Sequence, residues 1–323
     1  MRALIRAVVF VFAVVAGSPL ALADEWPTRP IRFIVSQAAG GTPDILCRLI
    51  TDRISRKLGQ QIVVENKPGG GNVIGASAAA QAAPDGYTFF FATGAALVTN
   101  AYTFKSLPYD PVKSFTPVGM VGKNPFVLVV NPNVPAKTLP EFIALAKADS
   151  SKISVATDGQ RNFSGMLTAR IGKLGGVDLV QVPYAAMPQG VQDTIGGRVQ
   201  GAIIAIASAA PHLASGALRA LAVSSVKKVP GYESVPTIAE SYPGFDFIGW
   251  FVVVAPAGTP ADIVARMNKE LDVALKDPEI VKRMNDVGVY SDGAETPAAT
   301  AAYNASQFEA WGKAVKEIGL QAE

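Results

Sequence analysis

The sequence predicts an α/β fold of two lobes with a ligand cleft between them, on three observations. Strand, small-residue loop and helix follow one another three times in the first part of the chain. A second block, starting at Phe126, repeats the alternation. A late strand from Trp250 to Ala255 and the helices after it are placed to return to the first block. Such alternation predicts parallel sheets with helices on both faces, and ligands at the carboxyl ends of the strands. With crossovers near 124–130 and 244–252, lobe 1 takes 24–125 and 250–323, and lobe 2 takes 126–249. A single doubly wound sheet satisfies the same strand count and stays open at this point.

The first element sets the pattern. Ile31, Phe33, Ile34 and Val35 form a short apolar strand of the buried kind. Ser36 to Gly41 is a loop with almost no side chain, and Thr42-Pro43 starts a helix, with Thr42 as cap and Pro43 at the first helical position. Ile45, Leu46, Leu49, Ile50, Ile54 and Leu58 recur at helical spacing until Gly59. A strand feeding a bare loop and a helix N-terminus aims backbone N–H groups and the positive end of the helix dipole into a crevice, where they suit an anion.

Ile62-Val63-Val64 is the next strand. The glycine-rich loop Pro68–Asn72 leads into an alanine-rich helix to about Ala83. Tyr87–Ala92 is a strand, with Thr93-Gly94-Ala95 opening another helix, and Leu107–Pro125 reads as irregular. In the second block, Phe126–Val130 and Ile153–Ala156 are strands. Between them Thr138-Leu139-Pro140-Glu141 is a capping box for a helix to about Ala148. The polar loop Thr157–Ser164 then enters a helix near Gly165, the plan of the first element with polar side chains added. Leu179–Tyr184, Gly201–Ile206 and Ala220–Ser224 are further strands. Thr259-Pro260-Ala261-Asp262 caps a helix to Lys276, and helices at Pro278–Asp286 and Pro297–Ile318 close the chain.

The 323 residues suffice for two ordinary domains, and 49% hydrophobic with 17% charged residues suits a globular core. Arg2 and Arg6, the apolar run Ala7–Ala16 and Ala21-Leu22-Ala23 read as a secretory signal peptide over 1–23; Gly17, Ser18 and Pro19 cut the run short of a membrane span. Its loss takes the net charge from +3 to 27 − 26 = +1, a balance that speaks against nucleic acid or an anionic membrane as partner. Cys47 is the only cysteine, so there is no disulfide.

Enzymatic and cofactor readings do poorly. Gly70 and Gly75 have the outer spacing of a phosphate-binding loop, but Ala76 stands where its lysine is required; a tight loop in the cleft wall is the better reading. His212 is the only histidine, placed at a helix start, and no nucleophile elbow exists to pair with it. One histidine and one cysteine far apart do not make a metal site. No cofactor is expected. Asp44 has two readings, dipole stabilisation in the first helical turn or orientation of a ligand group. Arg161, beside Asn162 and Ser164, suits a carboxylate held by two parallel hydrogen bonds. Phe163, Tyr184 and Trp250 read by default as core aromatics, but each adjoins a predicted cleft loop or crossover, which would let one or two of them wall the pocket.

The chain resembles the extracytoplasmic solute-binding proteins of tripartite tricarboxylate transporters, the Bug or TctC-like family. The resemblance rests on Trp26–Ile31, Ala39-Gly40-Gly41-Thr42-Pro43-Asp44, Val64–Gly69, Ala83–Thr88, Leu107–Pro111, Val182-Pro183-Tyr184, Leu218–Val223, Val235-Pro236-Thr237 and Ala255–Pro260. It implies a type II periplasmic binding fold, a monomer without catalysis, and a carboxylate gripped between two loops. Carried over by position, it names Gln37, Ala38, Ala39, Gly40, Gly41 and Asp44 on one lobe, and Thr157, Gly159, Arg161, Asn162 and Tyr184 on the other, with Phe163 as an apolar wall. It also implies a membrane permease as partner. A ligand-sensing subunit docking on a membrane receptor, or a secreted hydrolase using His212, are the alternatives. This sequence departs from the family pattern at Ser36-Gln37, at Arg161-Asn162-Phe163, at Ala185-Ala186, and at Ile204, where an aspartate is common. A gained arginine and a lost acid favour a dicarboxylate, with Phe163 suggesting an aromatic one; a small aliphatic mono- or dicarboxylate and a neutral amide-bearing ligand stay open.

Overall fold

The computed structural model describes residues 26–149 and 153–322; the leader read at 1–23 lies outside them. Two five-stranded sheets organise the molecule. The first contains β1 (Ile31–Val35), β2 (Ile62–Asn66), β3 (Thr88–Thr93), β4 (Phe115–Asn124) and β10 (Gly249–Pro256), in the order β2-β1-β3-β10-β4. The second contains β5 (Phe126–Val130), β6 (Ser154–Thr157), β7 (Val180–Pro183), β8 (Gly201–Ala205) and β9 (Arg219–Val223), in the order β7-β6-β8-β5-β9. The two-sheet arrangement, rather than one continuous sheet, follows.

The sheets are mixed, where purely parallel ones were expected. β1 runs parallel to β2 and β3, but β10 is antiparallel to both β3 and β4. Likewise β6 is parallel to β7 and β8, while β5 is antiparallel to β8 and β9. Each reversed strand is the first one after the chain crosses between sheets. A chain arriving from the other lobe enters at the edge that faces it, the carboxyl end of the parallel strands, and so runs back against them. The first crossing is abrupt, with Pro125 alone between β4 and β5.

β4 corrects the reading of 107–125 as wholly irregular. Pro117, Gly119 and Gly122 give it poor strand propensity. Pairing with β10 over most of its length, through two register shifts, overrides that.

Helix boundaries agree closely while several caps differ. α1 (Thr42–Leu58) ends at Gly59 in the left-handed conformation, as predicted, but its N-cap is Gly41 and Thr42 makes no capping bond. At α4 (Leu139–Ala148) the Thr138 hydroxyl accepts from Glu141 N; the Glu141 carboxylate, however, accepts from Lys137 N, so the box is not reciprocal. A complete capping box stands at Thr237 and Glu240, before α8 (Ile238–Ser241), where none was predicted. α9 (Ala261–Leu275) has Pro260 as N-cap, and the Thr259 hydroxyl donates to Pro256 O instead. α7 (Ile206–Ala214) holds Pro211 in its interior and His212 in its last turn, not its first.

β3 shows how the core is divided. All six of its residues are buried. Phe89 and Phe91 pack with Phe33, Leu46 and Met267 on one face, while Phe90 packs with Ala76 and Trp250 on the other. Burial of each such side chain contributes about 1.5–3 kcal/mol. α11 (Pro297–Ile318) is shared: it packs on β4 and on α5 (Phe163–Gly175) of the second lobe.

Candidate functional site

The first loop is built around Asp44. Its side chain is buried, and it accepts hydrogen bonds from Gly40 N at 2.9 Å, Arg48 Nε at 2.9 Å and Asn66 Nδ2 at 3.0 Å. Asn66 Nδ2 also reaches Gln37 O at 3.0 Å. Burial pushes the Asp44 carboxyl up, but the bonds from Arg48, Gly40 and Asn66 outweigh it and hold the group below the usual carboxylate range. Asp44 thus places the chain's own carboxylate in the first turn of α1, where the helix dipole favours it. Ala38, Ala39 and Gly40 form the exposed loop tip. Gly40 sits at φ +81 with nothing within 4 Å of where a Cβ would lie, so backbone conformation and not a close neighbour calls for glycine there.

The loop before α5 repeats the device. The Ser164 hydroxyl donates to Asp158 Oδ1 at 2.5 Å and accepts from Asp158 N at 2.8 Å. Asn162 Nδ2 donates to Asp158 O at 2.6 Å. Burial raises the Asp158 carboxyl above its usual range, against opposing hydrogen bonds from Ser164 and nearby backbone amides. The loop folds tightly over the helix: a Cβ on Gly165 would lie 2.1 Å from Gly159 O.

A cleft of about 480 Å³ opens between the two sheets. Of the sequence-predicted residues it gathers Gln37 from one lobe and Arg161, Asn162 and Phe163 from the other. Ala38, Ala39, Gly40, Gly41, Asp44, Thr157, Gly159 and Tyr184 are outside its lining. Thr157 is fully buried. The Tyr184 hydroxyl donates to Asp193 Oδ2 at 2.9 Å, in a network that Arg198 and Gln189 complete. Phe163 is a wall, but not a lone one: its ring lies 4.5 Å from Phe126, 5.6 Å from Phe247 and 5.7 Å from Trp311.

Sequence reasoning missed several lining groups, among them Asn72, Asn100, Asn124, Phe126 and Trp311. Asn72 carried a signal, since it ends the glycine-rich loop and adopts the left-handed conformation that asparagine tolerates, φ 79. Its Oδ1 accepts from Ser36 Oγ at 3.0 Å, tying the two loops of the first lobe together. Trp311 carried none, because its place depends on where α11 docks.

The second lobe holds another cavity, of about 370 Å³, whose lining includes Asp158, Ser164, Ser208 and His212. The structure thus places serines near His212, which the sequence did not suggest. Ser164 is bonded to Asp158, and among the described residues no hydrogen bond joins the His212 ring to either hydroxyl. The thiol of Cys47 is fully buried, which pushes its pKa well up and leaves it inert. Among the described residues no group of three potential metal ligands occurs, and no helix is long and apolar enough to cross a membrane.

Comparison with known proteins agrees with this architecture. Residues 46–320 match the family model described as the tripartite tricarboxylate transporter family receptor. Protein BugT of Bordetella pertussis is 34% identical over 319 residues, 98% of this chain and 97% of its own. A Rhodopseudomonas palustris protein solved with adipate superposes with a TM-score of 0.79 at 30% identity, covering 93% of this chain and all of that one. MatC from the same organism, with bound malate, gives 0.75 at 30% identity over 90% of this chain and 100% of its own. The family is one of periplasmic substrate-binding receptors and not of enzymes. With its two mixed sheets, its interlobe cleft and matches along nearly its whole length, the chain belongs to the tripartite tricarboxylate transporter receptor family, and its fold is that of a type II periplasmic binding protein.

Proposed function

We propose that this protein captures a small carboxylate in the interlobe cleft and delivers it, closed, to the membrane permease of a tripartite transporter. The observation that carries the reading is the lining of that cleft, in which Arg161 and Asn162 of one lobe face Gln37, Asn72 and Asn100 of the other. Arginine pairs with carboxylates in two parallel hydrogen bonds, and the side-chain amides of Gln37 and Asn72 supply neutral donors opposite it. Charge-assisted bonds of this kind contribute about 1.5–3 kcal/mol each. The adipate and malate of the two Rhodopseudomonas proteins favour a dicarboxylate, and the aromatic wall around Phe163 leaves room for an aromatic one.

In this reading residues 1–23 direct export. Residues 24–125 with 250–323 form one moving body and 126–249 the other, hinging near Pro125 and before Gly249. The exposed tip at Ala38–Gly41 and the loop at Gly159 join the ligand's shell on closure, and the protein acts as a monomer. Trp250 and Trp311 line the cleft, so intrinsic fluorescence titrated with mono-, di- and tricarboxylates is the direct test. A saturable change with at least one of them is expected; silence across the panel would falsify the proposal.

A further inference from the structure

The cavity inside the second lobe has a chemistry opposite to that of the cleft beside it. Its walls are largely apolar, made by Met187, Val191, Ile203 and Ile204. Asp158 is the one acid in its lining, and neither lysine nor arginine lines it among the described residues. The interlobe cleft has the reverse balance, with Arg161 and no acid in its lining among the described residues. One loop separates the two: Arg161, Asn162 and Phe163 line the cleft, while Asp158 and Ser164 line the inner cavity. Phe126 borders both spaces. A second carboxylate placed against Asp158 would meet like charge with neither lysine nor arginine to offset it, His212 being the one basic side chain in the lining among the described residues, and desolvation would add to the cost. A hydroxyl, amide or ammonium group would instead find an acceptor, with Ser208 and Gln192 at the same rim.

Resting on the carboxylate reading, we infer that the inner cavity is a specificity subsite, which takes an apolar extension of the ligand tipped with a hydrogen-bond donor that Asp158 accepts. The carboxyl end stays in the cleft around Arg161. The substrate class is then a mono- or dicarboxylic acid that keeps its carboxyl groups in the cleft and extends from them a body carrying a donor. The raised pKa of Asp158 fits the site, because a partly desolvated carboxyl gains from a donor or cation brought beside it.

The test compares hexanoate, its ω-hydroxy and ω-amino derivatives, and adipate by titration calorimetry on the mature protein. The donor-tipped acids should bind at least about tenfold tighter than hexanoate, as expected of a hydrogen bond to a charged group. In Asp158→Asn the advantage of the ω-amino acid should shrink to about threefold or less. Asp158 also supports the loop before α5, so Ser208→Leu serves as the second variant; it narrows the cavity without touching that loop's bonds, and should weaken the donor-tipped acids more than hexanoate. Carboxylate binding that shows no preference for the donor-tipped acids, or the same loss for all ligands in both variants, overturns the subsite and leaves carboxylate capture standing. Failure of every acid to bind overturns carboxylate capture and the subsite with it.

Discussion

Asp44 is the residue at which local chemistry is most legible. It organises its loop from the first turn of α1, and replacing it by alanine removes the acceptor of Gly40 N–H and one of the two acceptors of Asn66 Nδ2. Losing a carboxylate that accepts three hydrogen bonds and pairs with Arg48 costs about 1–3 kcal/mol, so Asp44→Ala should lower the unfolding free energy by about that amount in denaturant titrations. The folded carboxyl is more acidic than the unfolded one. As pH falls, the unfolded chain therefore takes up the proton first. The contribution is intact above about pH 4 and is withdrawn as pH drops below the ordinary carboxylate value. In Asp44→Asn the acid limb of the melting-temperature profile should be flatter than in the native protein. Arg161 makes the matching prediction for binding: Arg161→Ala should weaken a dicarboxylate by at least about tenfold more than its monocarboxylate analogue, and equal losses in calorimetry would remove Arg161 from the site. Tyr184 carries the opposite lesson. It follows a strand at a predicted cleft loop, yet its hydroxyl is engaged with Asp193, a partner that spacing could not reveal.

Among the elements, α1 and α5 share one construction: a strand ends, a short loop folds back, and an acid of the chain sits at the helix N-terminus. The strands and helices were readable because alternating apolar runs, glycine stops and proline starts are local signals. The internal carboxylates were not, since Asp158 precedes its helix and reaches it through Ser164 and the backbone amides of the helix start. Gly165 is the fixed point of the second loop. Gly165→Ala drives a Cβ into Gly159 O, and something must shift; overpacking of this sort costs about 1–3 kcal/mol. The variant should melt lower and should also lose ligand affinity, since the displaced loop carries Arg161 and Asn162. A drop in melting temperature with unchanged affinity would separate the loop from the site. β4 escaped notice because Pro117 and its two glycines advertise a loop, while its partner β10 lies more than a hundred residues further along the chain.

At the scale of the whole molecule, two five-stranded sheets border one cleft. Two crossings join them, and α11 adds a third tie through Trp311, whose ring lies 3.8 Å from Phe247 of the segment between β9 and β10. The aromatic group of Phe126, Phe163, Phe247 and Trp311 thus sits where the lobes meet, beside the cleft. Closure around a ligand should reduce the radius of gyration measured by small-angle scattering. Trp311→Ala, which empties the shared aromatic contact, should cost about 3–5 kcal/mol of stability and blunt the scattering change; a full change in the variant would show that α11 takes no part in the motion.

Local order in the amino acids was enough to determined the alternation of strands and helices, the two blocks, the bare first loop and the family, because each is written in neighbouring residues or in motifs kept in sequence. Tertiary structure decided the reversed strands β5 and β10, the existence of β4, the engagement of Tyr184, and the gathering of Asn72, Asn100, Asn124 and Trp311 around one cleft. Those features depend on the direction in which the chain re-enters a lobe and on contacts between distant segments, and neither leaves a periodic trace in the sequence.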